Sequence, residues 1–417
     1  MIKKISIAYI NLIFLILPIS ILVGPSVSLI NIILINFSFV FYLIYKRKFL
    51  NLNDPIIKLF IFLYIYLIFN SFVAEDFHLS FNRNFGFIRW IVFFVAFNYF
   101  YPKLFFKKIF FVWTILIFIL VIDVYFEFFV GFNLVGYQSQ FGNRIVSFFK
   151  DEPIIGGFLG SFFLIVIGFL LQNFVGISKK KLLIIFISIL LTGERSNTLK
   201  SLFAIIIFYF IINKPEFKKK IIYLIALISL VLITISSSDY LKIRYLNQLF
   251  NQNNNHQNFA YNFFNKSVFM NYEDHIYYKI YRSGFLVFKD SAYFGVGNKN
   301  YRLKSCEKAF KFNDKRYICT THPHQIYIEL LSEHGIFGTL IITITFLIFI
   351  FKNFNLIKRD QNYIQIGSFV FLITFFIPLL PSGSFFSDYN LTLFMINSLQ
   401  QIKKLNFQKM NFYSIMI

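Results

Sequence analysis

Runs of Ile, Leu, Phe and Val long enough to cross a bilayer recur along this whole chain, with short clusters of Lys and Arg between them. No other feature constrains the fold as strongly. Inside lipid an apolar run must satisfy its own backbone hydrogen bonds, and a helix does so within one segment. At about 20 residues per span plus loops, 417 residues predict about ten to twelve spans rather than two or three soluble domains. The expected fold is an all-α polytopic integral membrane protein, with residues 1–417 as a single membrane domain.

The basic clusters set the topology through the positive-inside rule. Spans are expected at about 5–23, 27–45, 56–73, 86–100, 109–129 and 154–175. The run 182–213, interrupted by Gly193-Glu194-Arg195-Ser196-Asn197, reads as two short spans or one broken unit. Further spans are expected at about 221–237, 335–351, 363–381 and 386–402. Basic residues gather at nearly every even-numbered boundary: Lys46 to Lys48, Lys103 with Lys107 and Lys108, Lys179 to Lys181, Lys214 with Lys218 to Lys220, Lys352 with Lys358 and Arg359, and Lys403 with Lys404. Twelve spans with both termini cytoplasmic is the self-consistent reading. The first run, Ile5 to Val23, is long for a signal-peptide core and has no clear small-x-small cleavage site, so it reads as a retained span.

This topology puts three polar stretches on one extracytoplasmic side: Arg144–Glu152, Gly193–Asn197 and the long, partly helical loop 238–325. Chemistry that draws on cytosolic ATP or nucleotide sugars is disfavoured there, and no Gly-rich nucleotide motif is present. The net charge of +22 follows from the inter-span clusters; without a basic face carrying a reader motif, nucleic acid is not an expected partner. The Asn251–Asn258 tract is low in complexity and reads as a loop tip. Cys306 and Cys319 both fall in the outer loop, where an even pair in an oxidising compartment favours a disulfide over two free thiols. No C-x-x-C or H-E-x-x-H spacing calls for a metal.

The densest polar run is Thr320 to Gly338. Pro323 suits a first helical position, with His322 as the cap and Gln325 reaching back to it. His324 then falls in the first turn, where the helix dipole lowers its pKa and favours a neutral, proton-accepting imidazole; a purely structural His is the competing reading. Glu329 and Glu333, four apart, share one face, either toward an aqueous cleft or along the wet side of an interfacial helix. Arg195, between two apolar runs, calls for an anionic partner, which is either a ligand or Glu194 beside it. Arg144 and Arg282, the latter in the amphipathic stretch Glu273–Asp290, complete a set of three outer arginines near one His, a plausible cradle for a diphosphate. Asp123 and Glu127 mark either a proton pathway or a polar helix end.

At these residues the chain resembles the O-antigen ligase/O-antigen polymerase superfamily of bacterial inner-membrane glycan transferases. His322-Pro323-His324-Gln325 through Glu333-His334-Gly335-Ile336-Phe337-Gly338 follows the family's H-P-H-N-x-x-L-x-x-L-x-E-x-G-x-x-G. Arg144 to Pro153, Thr192 to Ser196 and Lys289 to Asn298 resemble its R-x-S-G-x-F-x-D-E, T-G-S-R-x and D-x-P-x-x-G-x-G-x-N segments. The likeness spans about 130–345. Gln325 stands where the family has Asn, Glu194 where it has a small residue, and Ser291-Ala292-Tyr293 lacks its Pro.

The resemblance implies a glycan donor on undecaprenyl diphosphate at the periplasmic face, transferred without metal, nucleotide or other cofactor. The acceptor would be lipid A–core (ligase) or a growing glycan (polymerase), with membrane lipids around the site. It implies Arg195, then Arg282 and Arg144, as diphosphate ligands and His324 as the catalytic His. Glu329 and Glu152 stand as acceptor-side or structural residues. Two readings of other classes compete: a lipid-linked glycan flippase, against which no repeated halves and few mid-span ionisable residues are found, and a structural membrane protein, which predicts that His324 and Arg195 tolerate substitution.

Overall fold

Apolar segments that must close their own hydrogen bonds become helices, and the described residues contain helices, turns and no strand. The computed structural model describes residues 2–45, 55–100, 104–142, 144–150, 152–174, 178–213, 216–247, 275–352 and 354–399. The clusters at Lys46 to Lys48, Lys103, Lys214 and Lys403 with Lys404, together with Asp151 and the Asn251–Asn258 tract, lie outside these residues.

The first half of the chain supplies α1 (Ile2–Leu15), α2 (Leu17–Val23), α3 (Pro25–Tyr45), α4 (Pro55–Phe72), α5 (Phe77–Gly86), α6 (Ile88–Phe100), α7 (Phe106–Val130) and α8 (Ile155–Asn173). After these come α9 (Ser178–Leu191), α10 (Arg195–Ile211), α11 (Phe217–Ser236) and α12 (Asp239–Lys242), which runs into a π turn at Ile243–Asn247. The outer loop contributes α13 (Ile276–Asp290) and α14 (Tyr301–Cys306). The chain continues through α15 (Ile326–Phe351), α16 (Phe354–Asp360), α17 (Tyr363–Phe375) and α18 (Asp388–Leu399).

Six of these, α3, α4, α7, α8, α11 and α15, are long and apolar enough to cross a membrane. Shorter helices occupy the other predicted spans. The first run is divided, because Pro18 at the start of α2 has no N–H to offer the preceding turn. The interrupted run 182–213 forms α9 and α10, with a turn between them at Thr192 to Glu194.

Helix α8 is the centre of the molecule and is buried on nearly every face from Phe158 to Leu170. It packs against α7, α9, α10 and α17. Its contact with α17 is close because each helix presents a glycine to the other's backbone: Gly168 faces Tyr363 and Gly367 faces Leu164. Small residues at a helix crossing allow this approach where lipid offers no hydrophobic drive for association.

The second organising contact joins the outer loop to α15. The helix breaks at Gly335, whose φ of 63° and ψ of −170° only glycine adopts readily. The turn 291–298 docks into the break. Ile336 N–H donates to Ala292 O (2.8 Å), Val296 N–H to Ser332 O (3.0 Å) and Gly297 N–H to Glu333 O (2.9 Å). A Cβ at Gly335 would run into the backbone of Tyr293. Buried asparagines tie the same turn to α4 and α5. Asn298 N–H donates to Asn70 Oδ1 (3.0 Å), and the Asn298 amide donates to Asn84 Oδ1 (2.6 Å). Two sequence blocks far apart in the chain, around Gly295-Val296-Gly297-Asn298 and His334-Gly335, are thus two halves of one joint. Gly335→Ala is expected to cost about 2–4 kcal/mol, from the forbidden backbone conformation plus the overlap with Tyr293. A lowered melting midpoint of the purified protein would record it; an unchanged midpoint would contradict this role.

Cys306 and Cys319 are bonded, with Cα atoms 4.2 Å apart, and this closes the segment leading into the His322–His324 run.

Candidate active site

The helix expected to begin at Pro323 begins at Ile326. Gln325 is its N-cap, and its side-chain oxygen accepts from Ile328 N–H at 2.7 Å. A carbonyl-bearing side chain caps better than a His with Pro behind it, so the cap falls three residues later than expected. His322-Pro323-His324 therefore precedes the helix, and His324 takes a left-handed conformation, φ 54°. Its carbonyl accepts from Ser382 N–H at 2.8 Å. This turn places the His324 ring 4.0 Å from that of His322, centroid to centroid, with the Tyr277 ring edge-on at 6.4 Å. Burial pulls both imidazoles down to about 4. The charge of Lys299 adds to this at His322, and His322 itself adds to it at His324. The neutral imidazole expected at His324 is present, but burial produces it rather than a helix dipole.

Both histidines line a cavity of about 1630 Å³ that also takes in Arg144, Glu152, Arg195 and Arg244. Arg195 is the first residue of α10. Glu194 does not pair with it. The Glu194 carboxylate instead caps the start of α8, accepting from Gly156 N–H (2.6 Å), Gly157 N–H (3.2 Å) and the Asn197 amide (2.5 Å). A carboxylate is well placed at that helix N-terminus. Burial nevertheless pushes Glu194 up to about 7, against these hydrogen bonds and the charge of Arg144. Freed of Glu194, Arg195 keeps a buried Nη1 without a hydrogen-bond partner among the described residues, and the positive charges of Arg244 and Arg144 bear on it.

Arg144 is delivered by a clamped loop. Glu127 accepts from Val146 N–H (3.0 Å) and Ser147 N–H (2.7 Å), while Asp123 accepts from Leu134 N–H (2.7 Å) and from the Ser147 hydroxyl. The acidic pair on α7 thus holds the loop, and the proton-pathway reading is set aside. Arg144 donates to Pro153 O (3.4 Å), and its Nε has no partner among the described residues. Arg244 lies on the π turn after α12 and donates to Gly193 O through Nε (3.3 Å) and Nη2 (3.0 Å). Three guanidinium groups thus converge on the α9–α10 turn. Like charges so arranged repel unless an anion sits among them, and planar guanidinium groups suit phosphate oxygens.

Other expectations are corrected. Glu329 and Glu333 face neither a cleft nor a wet side, because both are fully buried. Glu329 accepts from the Ser384 hydroxyl and from Phe385 N–H (3.0 Å), so it anchors the 384–385 segment. Arg282 is exposed and is not among the cavity residues. The third guanidinium at the turn is that of Arg244, which sequence reasoning passed over. Glu152 is exposed at the cavity. Lys299, also unforeseen, lines the cavity and donates to Ser384 Oγ. No group of three or more His, Cys, Asp or Glu among the described residues is arranged to hold a metal ion.

Residues 181–343 match a family model described as O-antigen ligase. No curated protein matches the chain. The matched segment runs from α9 through the first turns of α15 beyond Gly335, and so carries Arg195, Arg244, Lys299, His322 and His324; Arg144 lies before it.

Proposed function

We infer, from a chain that belongs to the O-antigen ligase superfamily through its residues 181–343, that this cavity transfers a glycan from a lipid diphosphate to an acceptor hydroxyl. The observation that carries the reading is Arg195: its carboxylate neighbour is engaged elsewhere, and its Nη1 has no partner among the described residues while two further arginines bear on it. Arg144, Arg195 and Arg244 neutralise the diphosphate. As the acceptor oxygen bonds to the anomeric carbon, the bond from that carbon to the diphosphate oxygen breaks, and the leaving oxygen keeps the electron pair. Cations already fixed at that oxygen stabilise the charge where it develops. The acceptor's proton passes to His324, which is neutral in the free protein. A bound diphosphate beside it would raise its pKa and make it a stronger base when the base is needed.

The twelve-span topology belongs to the same proposal. With both termini cytoplasmic, the cavity opens to the periplasmic face of a bacterial inner membrane, where an undecaprenyl-diphosphate-linked glycan is presented. The acceptor is lipid A–core if the chain is a ligase, and a growing glycan if it is a polymerase. Gel analysis of surface glycan from cells lacking the gene separates these. Core with no repeats marks a ligase, core with a single repeat marks a polymerase, and an unchanged pattern would contradict the proposal.

A further inference from the structure

Lys200 lies within α10, in a run read as membrane-spanning, where an ammonium group is expensive unless it meets an anion or water. It lines the cavity together with Leu199, Ala204, Phe371 and Phe375. Its Nζ stands over the Phe375 ring, 5.7 Å from the centroid. Among the described residues no carboxylate or hydrogen-bond acceptor pairs with it. A cation–π contact offsets only part of the desolvation of a lysine held among apolar side chains. Lys200 follows Arg195 by five positions on one helix, which places it about 7.5 Å further along the axis at ~1.5 Å per residue. One wall of the cavity therefore carries cations at two depths: guanidinium groups at the turn, and below them an ammonium bordered by apolar residues.

A polyprenyl diphosphate has the same profile, with anionic groups in series followed by hydrocarbon. Resting on the donor reading above, we propose that Lys200 binds the lipid-proximal phosphate of that donor, the phosphate that a prenyl monophosphate also carries, while the arginines hold the second phosphate. The apolar side chains around it receive the first prenyl unit, and the Phe375 face fixes the ammonium without neutralising it. This assigns Lys200 a positioning role at the lipid end of the leaving group, distinct from the arginines at the sugar end.

The test uses the full-length chain in phosphatidylcholine nanodiscs and equilibrium binding of undecaprenyl diphosphate and undecaprenyl monophosphate, with phosphatidylglycerol as competitor. Wild type should prefer the diphosphate. Lys200→Met should weaken binding of both prenyl lipids about tenfold and keep the preference for the diphosphate, while Lys200→Arg stays within about threefold of wild type for each. Lys200→Gln serves in the same comparison if the methionine variant fails to insert. Diphosphate binding unchanged in Lys200→Met, a loss confined to the diphosphate, or displacement of the diphosphate by phosphatidylglycerol at comparable concentration would each overturn the assignment while leaving the donor reading standing. Failure of the wild type to bind either prenyl lipid would overturn the donor reading, and this assignment with it.

Discussion

Arg195→Ala is expected to lower kcat/KM for glycan transfer by about 10²–10³, the scale seen when one fixed stabiliser of a developing anion is removed. Arg195→Lys should still lose about tenfold or more, because an ammonium cannot reproduce planar, two-pronged contact with phosphate oxygens. Neither change should unfold the protein. Arg195 makes no ion pair with Glu194, whose carboxylate is held by the first N–H groups of α8. Replacing Glu194 should behave the opposite way. Glu194→Ala strips the cap from the deeply buried α8 and leaves N–H groups at Gly156 and Gly157 without their acceptor, at about 1–3 kcal/mol for each group left buried. Steady-state rates and melting midpoints, measured together, separate the two residues. A fall in stability for Arg195→Lys with kinetics intact would mean that the guanidinium is structural.

The second large effect is expected at His324. His324→Ala should reduce transfer by about 10²–10⁴ if the imidazole takes the acceptor's proton. The pH dependence adds a check that a structural His would not satisfy. Burial holds the free His324 down to about 4, so its proton-accepting form is present above that pH and is lost as pH falls through it. The acid limb of kcat/KM should therefore lie near 4. The limb of kcat reports the donor complex and should lie higher, because a bound diphosphate favours the imidazolium. Coincident limbs, or an alanine variant with wild-type rates, would contradict the assignment. His322→Ala should be the milder change, since His322 packs its ring beside that of His324 and meets Thr321 through Nδ1 (3.0 Å).

Much of this was legible in the sequence because lipid allows so few solutions. Long apolar runs left helices as the default, and the interruption at Gly193 to Asn197 marked the turn that carries Arg195. Failures occurred where a residue's partner lies far away in the chain. Glu194 sits beside Arg195 in sequence, yet its partners belong to α8, nearly forty positions earlier. Nothing local reveals that. Glu329 and Glu333 share a face, as their spacing requires, but that face meets the 384–385 segment and the outer-loop turn rather than water. The exposed position of Arg282 was legible in the helix pattern. Ile280, Ser283, Gly284 and Val287 form the buried stripe of α13, and Arg282 falls off it. Arg244 left a fainter trace, as an arginine four positions after Tyr240 in a short helix, but the π turn that aims it at Gly193 has no sequence signature. The start of α15 shows the ordinary limit on helix boundaries: Pro323 and Gln325 both signal a start, and only the observed hydrogen bond to Ile328 decides between them.

The central claim is that the cations at the α9–α10 turn drive departure of a lipid diphosphate. The direct measurement supplies purified protein with an undecaprenyl-diphosphate-linked glycan and an acceptor glycolipid, then counts released undecaprenyl diphosphate against glycan transferred. Equal release and transfer in wild type, both nearly abolished in a folded Arg195→Ala variant, is the predicted result. Release and transfer at wild-type rates in that variant would contradict it.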